Sequence, residues 1–285
     1  MLRDIAQIYY AIKKQPKALR NRVFDHQKKS DKLMIVSTGP SAGEFWNNIN
    51  FRMQFADYDI CILNDAFSFH KEQVLELKPQ FWCLTDGAYF GDMPDGNEKD
   101  ALKRKNIIDE NLKILEKVDW PLFMIVPMRK MINVDNANIH HIYLNTIVNS
   151  VLKQRFWFYD RNMMNPCGNS VGHSSIYFGI MSGYKTIGII GNEYNFFKEI
   201  ELMEDGRVTM SLSHSYKSNA VMDEWILNDD SIYCNAREGV VSSFLRRVSD
   251  SMAGFSYLRE YADYRGARVI NYSKGTMIDA FDIAE

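Results

Sequence analysis

No two of the four cysteines, Cys61, Cys83, Cys167 and Cys234, form a Cys-x-x-Cys pair, and they are widely separated along the chain. That spacing argues against both a thiolate metal site and a disulfide framework, so a reducing, cytoplasmic setting is the expectation. The sequence also lacks any apolar run near the roughly 18 residues that cross a bilayer, and its first residues lack a signal peptide's apolar core. It therefore reads as neither exported by that route nor membrane-spanning. Neither GxxxxGK[ST] nor GxGxxG occurs, which disfavours a P-loop ATPase and a conventional NAD enzyme. The Asp-x-Asp clamp of many metal-dependent sugar transferases is read as absent, so an obligatory metal is not expected at the site.

What the sequence does contain is enough apolar material, 46% hydrophobic and 13% aromatic over 285 residues, to fill a sizeable core. The net charge of −2 is unevenly spread: residues 1–32 hold nine Lys/Arg against Asp4, Asp25 and Asp31, a net +6 that leaves −8 for the remainder. Leu2, Ile5, Ile8, Tyr9 and Ile12 recur at helical spacing before this basic cluster. The arm reads either as a solvated helix packed on the body or as a contact for an anionic membrane surface or acidic partner. Nucleic acid is disfavoured, because the body is acidic and shows no basic-aromatic groove pattern.

From Leu33 onward strands and helices alternate, which predicts an α/β domain over 33–285: a Rossmann-like, mostly parallel sheet with helices on both faces and a small lid at about 192–236. The predicted strands are "KLMIVST", "YDICILND", "QFWCLTD", "PLFMIVPM", "TIGIIG" and "RVINYS". Predicted helices include Lys71–Leu77, a segment over 101–118 with Leu102, Ile107, Ile108, Leu112 and Leu115 inward, Val171–Met181, and a long helix near Val240–Arg265. Gly183 and Gly266 are read as helix stops. A single amphipathic segment is read between the first strand and Phe55.

Ligands of such sheets bind beyond the carboxyl ends of the strands. The residues there are Thr38-Gly39-Pro40-Ser41, Asn64-Asp65, Thr85-Asp86, Asn192-Glu193-Tyr194-Asn195 and Asn271-Tyr272-Ser273 with Gly275-Thr276. They are mostly small, amide or hydroxyl side chains, suited to a nucleotide, its ribose and its phosphates. Gly39 allows close backbone approach, and Ser41 is placed to cap the following helix. His214 in the lid and His173 at a helix start are the candidate bases, against readings as a surface loop residue and as a side chain tied to a backbone carbonyl. A separate reading makes Cys167 in "NPCGNS" a nucleophile with His173 or His214 as its base.

Taken together, "IVSTGPS", "CILND", "FWCLTD", "NSVGHSSIYFGIMSGYKTIGIIGNEYNF" and "VINYSKGTMIDAF" resemble the bacterial sialyltransferases of glycosyltransferase family 42. They are also similar to the related motility-associated-factor and pterin diphosphokinase-like proteins. The resemblance implies an inverting, metal-independent glycosyltransferase that uses a CMP-activated sugar as substrate, with no cofactor. The acceptor would be a surface glycan, lipopolysaccharide or other glycolipid, reached at the inner face of the membrane. It assigns nucleotide or donor contacts to Thr38, Gly39, Pro40, Ser41, Asn64, Asp86, Ser170, Gly172, Ser273, Gly275 and Thr276, and phosphate-steadying roles to Tyr194 and Tyr216; Asn192 joins the nucleotide contacts by its place after a strand. Thr38 stands where the family usually has Asn, and Asp86 where it has an amide. The family's lid histidine just precedes the last long helix, where "NAREGVVSSFL" has none; His214 lies earlier in the lid and takes the role of base there if the lid is rearranged. The same core also accommodates a pterin diphosphokinase-like phosphotransferase or a non-catalytic binding module, and the oligomeric state stays open.

Overall fold

The structure is a computed structural model that describes residues 28–91, 98–128, 130–145, 147–148, 150, 152–168, 170–204, 208–212, 223–227 and 239–284, with Tyr9 and Lys13 from the first segment. Its frame is an eight-stranded sheet in which every strand pairing is parallel. The chain lays down β1 (Lys32–Val36), β2 (Asp59–Leu63), β3 (Phe81–Cys83), β4 (Leu122–Pro127) and β5 (Ile139–Leu144) as successive neighbours. It then returns to the other side of β1 for β6 (Thr186–Ile190), β10 (Arg268–Asn271) and β11 (Asp282–Ile283). Between β6 and β10, β7 (Ile200–Leu202), β8 (Val208–Leu212) and β9 (Asp223–Leu227) form a separate three-stranded antiparallel sheet within the lid region.

The alternation of side chains along each strand explains why both faces are covered. In β1, Leu33 and Ile35 pack into a core with α7 (Val171–Met181) and α8 (Val240–Arg265), through Ile176, Tyr177, Phe255 and Tyr261. Met34 and Val36 point the other way, toward α1 (Ala42–Asn47), α3 (Ala66–Phe69) and α5 (Glu98–Leu115), through Phe45, Trp46, Phe67 and Leu115. The connections are completed by α2 (Ile49–Met53), α4 (Lys71–Leu77) and α6 (Arg155–Tyr159). Positive φ at Gly183 (81°) and Gly266 (61°) ends α7 and α8 as expected.

Several local expectations change. The single segment before Phe55 is two helices, split where Asn48 turns extended and its side-chain oxygen accepts from Asn50 N (3.1 Å) and Phe51 N (3.2 Å). Leu102 is 59% exposed rather than inward, and the buried side of α5 is carried by Ile108 and Leu115. β5, α6, β9 and β11 lie in stretches without a clean period. Lys28–Asp31 are tied to the body through Lys28 Nζ to Gly183 O (3.2 Å), Lys29 N to Asp59 (3.2 Å) and Lys185 N to Asp31 O (2.7 Å). Among the described residues, no helix is long and apolar enough to cross a membrane.

Candidate functional site

The chain reverses its direction of travel across the sheet between β1 and β6, the kind of switch point beside which ligands of open α/β sheets bind, in the crevice outside the strand ends. The two ends are sewn together: Ser37 N donates to Ile190 O and Gly39 N to Gly191 O, both at 2.9 Å. Glu193, only 6% exposed, then reaches across from β6. Its Oε1 accepts from Ser41 N (2.7 Å) and from the Ser41 hydroxyl, which itself accepts from Gly191 N (3.1 Å). The expected cap role of Ser41 is therefore corrected: its side chain makes no cap bond to α1, because its oxygen is turned toward Gly191 N and Glu193 instead. Gly39 is glycine for lack of room. A Cβ there would stand 1.8 Å from Glu193 Oε2 and 2.5 Å from Gly191 O. Pro40 completes the turn, its carbonyl accepting from Gly43 N (3.0 Å).

The ends of β6 and β10 form a second seam. Asn192 N donates to Ser273 Oγ (3.0 Å), and Met277 N to Glu193 O (2.7 Å). The Thr276 hydroxyl receives Asn271 Nδ2 (2.9 Å) and donates to Asn192 O (3.4 Å). Gly275, with φ of 70°, turns this segment back. Gly172, at the start of α7, abuts the Asn192 side chain, whose Nδ2 a Cβ would approach to 2.6 Å. The structure thus brings Gly39, Ser41, Gly172, Asn192, Ser273 and Thr276 into one connected rim.

The remaining candidates divide. Ser170 caps α7, accepting from His173 N (3.3 Å). His173 is fully buried, its Nε2 bonded to Ser251 O (2.9 Å), so the Ser170 hydroxyl donates to the unprotonated Nδ1 (2.6 Å). Burial lowers its pKa to about 4, which keeps the ring neutral. The carbonyl-tied reading of His173 is the one found, and its ring has no nitrogen left for a substrate. The Cys167 nucleophile is corrected on the same ground: the thiol is 4% exposed, packed with His173 against Gly254. Tyr194 adopts a left-handed backbone (φ 52°), and its ring meets Phe255 and Phe196 edge-on at 5.1 Å. His214 and Tyr216 lie outside the described residues, and Thr38 sits half-buried in the β1 turn.

At the ends of β2 and β3 lies a network that sequence reading missed. Arg104, from α5, bridges Asp65 (2.7 Å) and Asp86. Tyr89 OH donates to the second Asp65 oxygen (2.7 Å) and accepts from Asn111. Burial works against the guanidinium charge, but Asp65 and then Asp86 more than offset it, so its pKa is raised. Asp86 also caps the turn at Ala88 N (2.9 Å). Two carboxylates at neighbouring strand ends were a usable signal for a shared cation, but nothing local pointed to a residue on α5. Arg104→Ala should lower stability by about 2 kcal/mol in urea unfolding at neutral pH, since it leaves two half-buried carboxylates uncompensated. Arg104→Lys should recover only part, because an ammonium cannot fork to both.

Beside this network Asn64 is held left-handed (φ 40°), and its buried side-chain oxygen has no partner among the described residues. Its backbone is spoken for by Cys83 O (3.0 Å) and Trp82 Nε1 (2.7 Å). Strained residues with unmet acceptors at strand ends are typical of ligand contacts. The expected absence of an Asp-x-Asp is corrected: Asp57-Tyr58-Asp59 is one, at the opposite, amino end of β2. There Asp57 pairs with Lys32 (2.6 Å) and Asp59 accepts from Tyr184 OH (2.7 Å). An apolar surface groove lined by Phe156, Trp157 and Tyr264 lies where α6 meets the end of α8, outside the crevice.

No family model matches this chain, and no curated protein or solved structure matches it.

Proposed function

We propose that this protein is an inverting, metal-independent glycosyltransferase of the sialyltransferase-like type, taking a sugar from a CMP-linked donor to a glycan or glycolipid acceptor. The observation that carries the reading is the β1–β6 crevice, where the turn at Gly39–Ser41, Asn192, Ser273 and Thr276 join into one polar rim with Asn64 beside it. Small hydroxyl and amide groups fixed by their own hydrogen bonds are pre-organised to bind a nucleotide at no further ordering cost. In the reaction His214 removes a proton from the acceptor hydroxyl, and its oxygen forms the new bond to the anomeric carbon. The bond from that carbon to the phosphate oxygen breaks, and its electron pair leaves with CMP. Tyr194 and Tyr216 steady that phosphate. The +6 charge of residues 1–32 would hold the enzyme at the cytoplasmic membrane face, near a lipid-linked acceptor.

The test is nucleotide release and transfer measured across CMP-, UDP- and GDP-sugars, with and without EDTA, after a thermal-shift screen with CMP and with ATP–Mg²⁺. The expected result is stabilisation by CMP and turnover of a CMP-sugar that EDTA leaves unchanged. Stabilisation by ATP–Mg²⁺ alone would favour a phosphotransferase, and stabilisation by neither a binding module. His214→Ala should lose transfer, by about 10²-fold or more, while still being stabilised by CMP.

A further inference from the structure

We infer that Glu193 sets ligand polarity at the β1–β6 crevice: its free oxygen accepts a hydrogen bond from a ligand hydroxyl, and its charge keeps phosphate off the β1 turn. The inference rests on the nucleotide-sugar reading and adds an orientation to it. In many α/β sheets the turn after the first strand offers its amides to phosphate. Here the Ser41 amide and hydroxyl are already taken by Glu193 Oε1, a carboxylate supplied by the chain itself. A phosphate at this turn would have to displace that oxygen and would meet a like charge at close range.

The other oxygen, Oε2, is differently placed. It rests against Gly39 Cα and takes no hydrogen bond or ion pair among the described residues. The residue as a whole is only 6% exposed. A nearly buried carboxylate with one oxygen held and the other without a donor among the described residues calls for one. On a nucleotide sugar the donors of matching chemistry are hydroxyls, from the ribose or from the transferred sugar. The absence of a side chain at Gly39 is what leaves Oε2 its place: any Cβ would occupy it. The ligand therefore lies with a hydroxyl-bearing ring over Gly39 and its phosphate away from the β1 turn.

The test titrates the full chain and its Glu193→Gln variant by calorimetry with CMP, 2′-deoxy-CMP, a CMP-sugar and inorganic phosphate, after melting curves show both proteins folded. If the hydroxyl is the ribose's, the native protein prefers CMP to its deoxy analogue by roughly tenfold or more, and the variant binds the two alike. If it is the sugar's, the variant loses only the added affinity of the CMP-sugar over CMP. In both cases phosphate binds the variant more tightly than the native protein. The inference is overturned if the variant keeps native affinities for every ligand, or if the native protein binds phosphate as well as the variant does. The native arms need no variant, so a poorly folding Glu193→Gln still leaves hydroxyl preference and phosphate exclusion measurable. Failure of the native protein to bind any CMP compound removes the nucleotide reading itself, a result distinct from the others.

Discussion

Gly39→Ala should lower the unfolding free energy by about 3 kcal/mol, the upper end of overpacking costs. The new methyl would lie 1.8 Å from Glu193 Oε2 and 2.5 Å from Gly191 O. The carboxylate can rotate away, though only by abandoning Ser41 N and the Ser41 hydroxyl. The carbonyl cannot, because Gly191 O is the acceptor of Gly39 N itself at 2.9 Å and belongs to the end of β6. Relief therefore requires parting β1 from β6, which sit side by side at the centre of the sheet. Removing Glu193 in the Gly39→Ala background should restore only part of the loss, since the backbone clash persists. Urea unfolding with an unchanged slope would register the effect as lost stability. Gly168→Ala, where among the described residues a Cβ meets only Val148 at 3.4 Å, is the control and should change stability by less than about 0.5 kcal/mol. A Gly39→Ala protein as stable as that control would refute the described seam.

Acidification from pH 6.5 to 4 should remove about 3 kcal/mol of stability through His173 alone. Its pKa in the folded protein is lowered to about 4 by burial, against about 6.5 in the unfolded chain. Between those values the unfolded chain binds a proton that the native state refuses, so stability rises with pH across that window and falls as the pH drops through it. Below about pH 4 both states are protonated and this contribution is flat. His70, stacked on Trp46 at 4.6 Å and likewise lowered to about 4 by burial, adds a second step of the same sign. The exposed carboxylates Asp57, Asp119 and Asp282, lowered first by hydrogen bonds to Lys32, Lys78 and Arg268, act in the same direction but at more acid pH. Unfolding free energies measured from pH 7 to 4 for the native protein and for His173→Gln should differ in slope by one proton. Equal slopes would mean that His173 is not held neutral by burial.

Much of this architecture is legible in the sequence because the signals are local. "TIGIIG" is apolar on both faces, and β6 duly lies between β1 and β10 in the middle of the sheet. The apolar run of Val171–Met181, buried on every side, and the glycine that follows define α7, and Val240–Arg265 with Gly266 defines α8. Edge elements are harder to read: "IHHIYL" forms β5 although most of its side chains are only partly buried, so it has no strong pattern. Part of the candidate site is legible too, because residues after a parallel strand must lie at the ligand-binding edge whatever their partners.

Composition, strand-end position and helix periodicity therefore determine by themselves an α/β chain with small polar residues at its ligand edge. Only the tertiary structure decides what those residues do to one another. Ser41 and Glu193 are 152 positions apart, Arg104 and Asp65 39, and Asn192 and Ser273 81. Strand order makes the first and the last, placing β6 against β1 and β10 against β6, and the packing of α5 over the end of β2 makes the second. A turn that reads as a phosphate cradle thereby becomes one already filled by a carboxylate. Hydrogen bonds depend on proximity in space, and no local period of the chain encodes it.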